Sequence, residues 1–585
     1  MVTVKDKDTV LYRSLPKVYI DGEPAPDNFM DDIIQISVEE SLHRPGMFIL
    51  VIHNDYHHGG EQDNPWRYNN YLQIGKSIKI GFTHSLKSGD TNKEEFEKHA
   101  LLQGEITAIE TSFTEKSQAP VIVRGYDVSH RLYRGRYNRS FQNMTDSDIV
   151  KKIAQEVGIP IGEVQDTKIP HDYIFQSNQN NMEFLRERAT RQGFELFIQN
   201  GKIYFRKPKS KSKSQADLKL KWLEEIHSFR VRVTSAEQVK EVEVRGWDYS
   251  HKRPIVATKK EPQLITQTNN GIGSETNDKF NTPLPTPKMI VVDKPVFNPK
   301  EADAIAQALC DELGGQFVYA DAKAEGNTEI RAGRVLDLEN MGQHDGKYYI
   351  TETRHLYQER VYSTEFSVRG LRGGNLLSIL SPQTGLNPGQ TSLVGIVTDN
   401  EDPEGWGRVK VKFPTLTEEH ASQWARVVSA GAGNNRGFDC LPEINDEVLV
   451  LFEHGDIHRP YVIGGVWNGE DAPPEPVDKS VQDGKVRLRT IKTRTGHLLQ
   501  FVEEDNNSSK TGFYIRTNGG HQINVNDSQK NIEIKTTGGH QLKLSDKDGS
   551  INLSSTGNLK IQAKGNIDIN ADGVITVKGQ LIKLN

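Results

Sequence analysis

The chain has 585 residues, of which 26% are charged and 35% belong to the hydrophobic set, and its formal net charge is -6. That length exceeds one hydrophobic core and implies about four units of ~100–150 residues, and the composition excludes a chain that is disordered throughout. The small net charge excludes broad attraction to nucleic acid or anionic membrane, two cysteines exclude a disulfide framework, and no apolar run reaches the roughly 20 residues that span a bilayer.

The polar start, Met1-Val-Thr-Val-Lys-Asp-Lys-Asp, has no apolar h-region and predicts a protein without a cleaved secretory signal. Alternating runs at Ser77-Ile-Lys-Ile-Gly-Phe82, Gly104-Glu-Ile-Thr-Ala-Ile109 and Pro120-Val-Ile-Val-Arg-Gly125 predict strands buried on one face. His53, His57 and His58 sit among Asn54, Asp55, Gly59 and Gly60, which makes that segment a loop and not a metal site. Thr145-Asp-Ser-Asp148 is a capping box ahead of Ile149, Val150, Ile153, Ala154 and Val157, and a second helix is predicted over 181–191, closing at Gly193. Paired strands then flank an Asn200-Gly201 turn. The run Lys207-Pro-Lys-Ser-Lys-Ser-Lys-Ser214 lacks interleaved aromatics and reads as a solvated loop.

Strands return near 229–233 and 241–245, and an exposed connection is predicted over about 264–289. Ala302, Ile305, Ala308, Leu309 and Leu313 form one apolar helix face before Gly314-Gly315, and strands resume at Tyr348-Tyr-Ile-Thr351 and 362–368. Five strands are predicted at 393–397, 408–413, 424–428, 447–452 and 461–463, a number and spacing that suit a small closed barrel. Asp471-Ala-Pro-Pro-Glu-Pro476 reads as a stiff, extended linker.

The strongest signal follows Ser550, where the chain repeats every eight residues: Ile551-Asn-Leu-Ser-Ser-Thr-Gly557-Asn, Leu559-Lys-Ile-Gln-Ala-Lys-Gly565-Asn, Ile567-Asp-Ile-Asn-Ala-Asp-Gly573-Val, then Ile575-Thr-Val-Lys-Gly579. The period of two sends Ile551/Leu553, Leu559/Ile561, Ile567/Ile569 and Ile575/Val577 to one face. Gly557, Gly565 and Gly573 are expected to turn the chain in positive-φ conformations. Two aliphatics contribute about 1.5–3 kcal/mol each, whereas ordering eight residues costs roughly 8–16 kcal/mol of backbone entropy. A lone repeat therefore does not hold, and a trimeric β-prism or intertwined β-helix that shares the apolar strips is expected in preference to a single-chain solenoid. Upstream, Thr495-Gly-His497, Gly519-Gly-His521 and Gly538-Gly-His540 begin three related strand runs, read as stacked turns at successive heights and not as one metal site.

These residues resemble the valine-glycine-repeat (VgrG-like) spike family of type VI secretion and extracellular contractile particles, a fused phage tail hub and puncturing spike. The barrel carries the most specific part of the resemblance: Asn400-Glu-Asp402-Pro403-Glu-Gly-Trp-Gly407-Arg408-Val-Lys-Val-Lys-Phe-Pro414, Trp424-Ala-Arg426, Asp446-Glu447-Val-Leu-Val-Leu-Phe452, and Gly455-Asp456. Asn445 stands where the family often has glycine, and asparagine tolerates the left-handed backbone that such a turn needs. Arg124-Gly-Tyr-Asp127, Asp148-Ile-Val150, Ile153-Ala154, Glu183-Phe-Leu185, Arg245-Gly-Trp-Asp248 and Gly346–Thr351 with His355 resemble the hub.

The resemblance implies a mainly β protein with minor α: two hub β-barrel-like domains (1–215 and 216–380), an OB-fold barrel (381–470), a linker (471–484) and a trimeric β-helix spike (485–585). It implies a structural piercing subunit and not an enzyme, with no cofactor, no metal and no nucleic acid, and the barrel shows no evident basic, aromatic-rich stripe. Expected partners are two further copies, inner-tube and baseplate proteins at the hub, effector cargo, a transiently touched target membrane, and a separate proline-alanine-alanine-arginine (PAAR-like) tip protein. The tip is expected to contact Ile575, Leu581, Ile582, Leu584 and Asn585. Assembly is expected in a bacterial cytoplasm, as part of an intracellular or released particle. No lysozyme domain is expected at the linker, and no sizeable toxin domain is expected after Gly579. A trimeric carbohydrate-binding tail fibre or receptor-binding protein is the alternative reading.

Overall fold

Short polar side chains start the helices where the sequence places them. In a computed structural model of the chain, Thr145 and Asp148 form a reciprocal capping box on helix Asp146–Glu156, and Asn180 and Glu183 do the same for helix Asn181–Gln192, which Gly193 ends in left-handed conformation. The described residues are 14–54, 66–84, 96, 99–113, 120–209, 218–280, 287–292, 296, 298–369, 390–507 and 509–583. His57 and His58, most of the Lys-Ser run and the proposed 380/381 boundary lie outside them. The chain divides into two units, Met1–Asp248 with Arg253–Gly465 and Tyr249–Lys252 with Val466–Asn585.

The first unit is built on one sheet of eleven strands. Across it run Ile226–Val233, Val318–Glu325, Val361–Val368, Glu352–Gln358, Ile33–Ser41, Met47–Ile52, Val121–Asp127, Ala100–Thr111, Ser77–His84, Ser14–Ile20 and Glu23–Pro24. The two hub-like regions therefore share a sheet. Its seam is the antiparallel pair of Ile33–Ser41 with Glu352–Gln358, in which Val38 faces His355. One core gathers under the early strands, around Ile36, Phe48, Leu50, Ile80 and Phe82, and another under the late ones, around Leu336, Tyr348, Ile350 and Phe366.

Each region also carries a helical layer. Helices Asp146–Glu156 and Asn181–Gln192 bury Ile149, Ile153, Leu185 and Ala189 with Ile203 and Phe205 of the Asn200-Gly201 hairpin, whose two turn residues have φ of 50° and 68°. Helix Pro299–Gly315 buries Ala302, Ile305 and Leu309 against Val242, Val244 and Ile255 of a three-stranded sheet. The 264–289 connection, expected as exposed loop, contains strand Gln267–Thr268 on Gly346–Tyr349 and a 3-10 turn at Gly273–Lys279.

A closed barrel follows, of strands Leu393–Asp399, Arg408–Lys412, Ala425–Val427, Glu447–Phe452 and Pro460–Gly465, around Val397, Val409, Val411, Val448, Val450 and Val462. Trp247, from the second Arg-Gly-aromatic-Asp motif, donates its indole N–H to the buried carboxylate of Glu447 at 3.0 Å and so ties the barrel to strand Glu241–Asp248.

His355 lies wholly inside the eleven-stranded sheet, its Nδ1 facing the Tyr362 hydroxyl at 2.8 Å. Burial, reinforced by the nearby Arg331 charge, pushes its imidazole down to about 3. The unfolded chain binds that proton near pH 6.5 and the folded one does not until about 3, so the contribution falls as pH drops through this window, by about 1.4 kcal/mol per unit. Burial acts oppositely on Asp127 and Glu195, pushed up to about 6 and about 7, which weaken the fold as pH rises. The difference between wild type and His355→Gln is therefore expected to decline steadily from pH 6.5 to about 3 in denaturant titrations. A pH-independent difference contradicts this.

Candidate functional site

In the second unit, polar turns and alternating strands give one sheet of seven antiparallel strands: Leu488–Lys492, Leu498–Val502, Gly512–Arg516, Gln522–Asn526, Asn531–Lys535, Gln541–Ser545 and Ser550–Ser554. The Gly-Gly turns close it because Gly520 and Gly539 take φ of 87°, which lets Gly520 N–H reach the Thr517 carbonyl and Gly539 N–H that of Thr536. The 471–484 segment, expected as a linker, is partly ordered as a one-turn helix at Val477–Ser480 and the start of a two-residue hairpin with Lys485–Val486. Asp471 pairs with Lys252.

Register turns this sheet into an amphipathic wall. One row runs Ile491, Leu499, Ile515, Ile523, Ile534, Leu542 and Leu553 across all seven strands. A second runs Phe501, Phe513, Val525, Ile532, Leu544 and Ile551 on the same face. The opposite face carries Thr490, Gln500, Tyr514, Asn524, Glu533, Lys543 and Asn552, cross-linked by Gln500 to Thr490 at 2.9 Å and Asn524 to Glu533 at 3.2 Å. In the single chain Ile491, Phe501, Ile523, Ile532, Ile534, Ile551 and Leu553 of these rows are exposed, from 38% at Ile523 to 74% at Ile551, and the other six members are half-buried.

Past Ser554 the ladder stops. Residues 555–583 form no strand with the rest of the chain, yet bends recur at Thr556-Gly557, Lys564-Gly565 and Asp572-Gly573. Leu559, Ile561, Ile567, Ile569, Ile575 and Val577 are all exposed. The left-handed glycine expectation is corrected: Gly557, Gly565 and Gly573 have no positive φ, and an added Cβ on any of them meets nothing of this chain. A bend that carries the chain onward, instead of reversing it as a hairpin does, needs no left-handed residue. Leu581 and Ile582 are exposed near the end, while Leu584 and Asn585 lie outside the described residues.

The barrel motif is structural in its details. Asp402 accepts from the Glu404 and Trp406 amides and the Arg408 amide and guanidinium at 2.7–3.2 Å. The Arg408 guanidinium holds the Asp402 carboxyl far below the usual carboxylate range. Pro403 lies inside this loop, Gly407 takes φ of 72°, and Asn400 donates to the Pro442 carbonyl at 3.1 Å. Asn445 adopts the expected left-handed backbone with φ of 73°, Asp446 accepts from the Glu443 amide, and Gly455 precedes Asp456, which accepts from the His458 amide.

One reading of this barrel is corrected, because the fold does assemble a short basic and aromatic stripe. Arg408 lies 4.6 Å from the Trp406 ring and Lys410 4.6 Å from Trp424. Sequence spacing hid it because Trp424 comes from a neighbouring segment. Both cations are paired, Arg408 with Asp402 and Lys410 with Asp399, so they present little free charge to a phosphate.

Among the described residues no group of three or more His, Cys, Asp or Glu side chains is arranged to hold a metal. The three tail histidines stand apart, each accepting at Nδ1 from the backbone N–H of the next turn: Asn518 to His497 at 3.4 Å, Thr537 to His521 at 3.4 Å, and Thr556 to His540 at 3.2 Å.

The fold defines a mainly β chain with a closed barrel and a repetitive apolar wall that is partly exposed in the single chain. A family model described as the Alg8 N-terminal domain matches residues 13–359, and one described as the type VI secretion system/phage-baseplate injector OB domain matches 393–467. The first covers more than half of the chain, which therefore belongs to the Alg8 N-terminal domain family and is homologous to VgrG-type spike proteins. The type VI secretion system spike protein VgrG1c of Pseudomonas aeruginosa is 24% identical over 218 residues, 34% of this chain and 30% of that protein. VgrG1a of the same organism is 30% identical over 144 residues, 23% of this chain and 22% of that protein. These matches span less than a third of either relative. The 43 kDa tail protein of prophage MuSo2 from Shewanella oneidensis aligns with a TM-score of 0.45 at 14% identity, over 61% of this chain and 98% of that one.

Proposed function

We propose that this chain is the structural hub-and-spike subunit of a contractile injection system, acting as a homotrimer whose tail is driven mechanically through a target envelope. The observation that carries the reading is the apolar wall: one unbroken row across all seven strands and a second across six, continued by the eight-residue repeat. An apolar face of that length left in water is unfavourable, and three such walls turned inward enclose one dry core. The change of pattern at Ser554 supports the same geometry. Above it, hairpins satisfy the backbone within one chain. Below it, the chain has no ladder of its own, so its N–H and C=O groups are open to pairing with strands of other chains, as in an intertwined β-helix.

On this reading the eleven-stranded region is the hub that meets inner-tube and baseplate proteins, and the barrel is an OB-fold collar. The exposed Ile575, Leu581 and Ile582 are where a PAAR-like tip protein sits, and effector cargo and brief membrane contact belong to the assembled particle. Nothing in this role requires catalysis. Native mass measurement of the purified chain is expected to give three copies, and imaging a threefold body that tapers to a needle. Solitary chains at working concentration, with the tail fully ordered, overturn the proposal.

A further inference from the structure

We propose that the two turn-bearing margins of the tail sheet carry opposite charge because they meet at the corners of the assembled spike, the cationic margin of one copy against the acidic margin of the next. This rests on the trimeric reading above and adds which surfaces touch and in what order.

One margin holds the turns 493–497, 517–521 and 536–540. Lys492, Arg494, Arg516 and Lys535 lie in or beside them, with His497, His521 and His540, and they contain no Asp or Glu. The other margin holds the turns 503–511, 527–530 and 546–549, with Glu503, Glu504, Asp505, Asp527, Asp546 and Asp548 against Lys510, Lys530 and Lys547. Part of that acidity is used at home: Glu503 pairs with Arg489 at 2.6 Å, Asp505 lies 3.9 Å from Lys510, and Glu504 lies 3.9 Å from Lys485. Asp527, Asp546 and Asp548 form no ion pair among the described residues, and neither do Lys492, Arg516 and Lys535.

Strand order sets the heights. The cationic turns join strands one to two, three to four and five to six, and the acidic turns join two to three, four to five and six to seven. Neighbouring strands lie about 4.8 Å apart, so turns recur every ~9.6 Å on each margin, and the two margins are out of step by half that repeat. Rotation about a threefold axis adds no rise, so adjacent copies keep the same heights. The first two acidic turns then fall between cationic turns of the neighbour, and the third, 546–549, lies half a repeat beyond its last, 536–540. A cyclic trimer joins unlike patches, whereas meeting of like margins belongs to a twofold contact and sets like charges together. The three imidazoles act as struts along the cationic margin, since each holds the next turn by its backbone N–H.

The test uses the full chain with Cys440→Ser, which removes the exposed thiol, and adds Asn518→Cys on one margin and Gln529→Cys on the other. Within one chain a five-residue strand of about 17 Å separates these sites, so a short bismaleimide joins them only between copies. Covalent trimers are expected from the double variant and none from either single variant. Arg516→Glu with Lys535→Glu should lower the yield severalfold, and adding Asp527→Arg with Asp546→Arg should restore it. Trimers by native mass without covalent trimers overturn the corner pairing alone. Covalent dimers from a single-cysteine variant overturn it by showing like margins in contact. A monomeric native mass overturns the trimeric reading and the corners with it.

Discussion

Leu559→Asp with Ile561→Asp is expected to abolish the trimer while leaving the hub and barrel folded. On the proposed trimeric reading the two positions recur in each copy, so six side chains leave the shared core at about 1.5–3 kcal/mol each, an upper total of roughly 9–18 kcal/mol before the cost of burying six carboxylates. The residue between them supplies the control. Lys560 belongs to the opposite face by the period of two, and Lys560→Asp should keep both mass and heat resistance. Native mass spectrometry and circular dichroism read the two outcomes. A Leu559/Ile561 variant that stays trimeric with wild-type heat resistance means that these rows do not form the core.

Arg331→Ala should destabilise the first unit by about 3–5 kcal/mol, the cost of leaving a buried charge without its partner. The Arg331 guanidinium is 3% exposed and donates to Glu40 at 2.7 Å, to the Ala100 and Leu101 carbonyls at 3.0 and 2.8 Å, and to Asn200 at 3.1 Å. One side chain from the second hub-like region thus satisfies groups on two strands and a turn of the first. Removing it strands the Glu40 carboxylate, itself 8% exposed. Arg331→Met with Glu40→Leu removes both charges and should recover much of the loss, read from chemical denaturation midpoints at equal m-values. A double variant no more stable than Arg331→Ala means that the carbonyl contacts, and not the ion pair, carry the effect.

Local structure was legible because its causes are local. Capping residues and apolar spacing located helices Asp146–Glu156, Asn181–Gln192 and Pro299–Gly315, and the Asn200-Gly201 pair located its hairpin. Alternation located the five barrel strands, and the eight-residue period located the bends at Gly557, Gly565 and Gly573. The left-handed glycines were misjudged because a repeated glycine marks a bend without stating its direction.

What periodicity cannot carry is the pairing of distant segments. The seam between Ile33–Ser41 and Glu352–Gln358, the Arg331 network and the Trp247–Glu447 bond join residues hundreds of positions apart, and no local signal encodes such a meeting. The tail shows the same division within one element. Sequence alone determined that its strands alternate and repeat, because that follows from side-chain polarity at successive positions. Only the tertiary structure decided that six registers align into two unbroken apolar rows with a cationic and an acidic margin, because register depends on which turn closes each hairpin and on how many residues it spends.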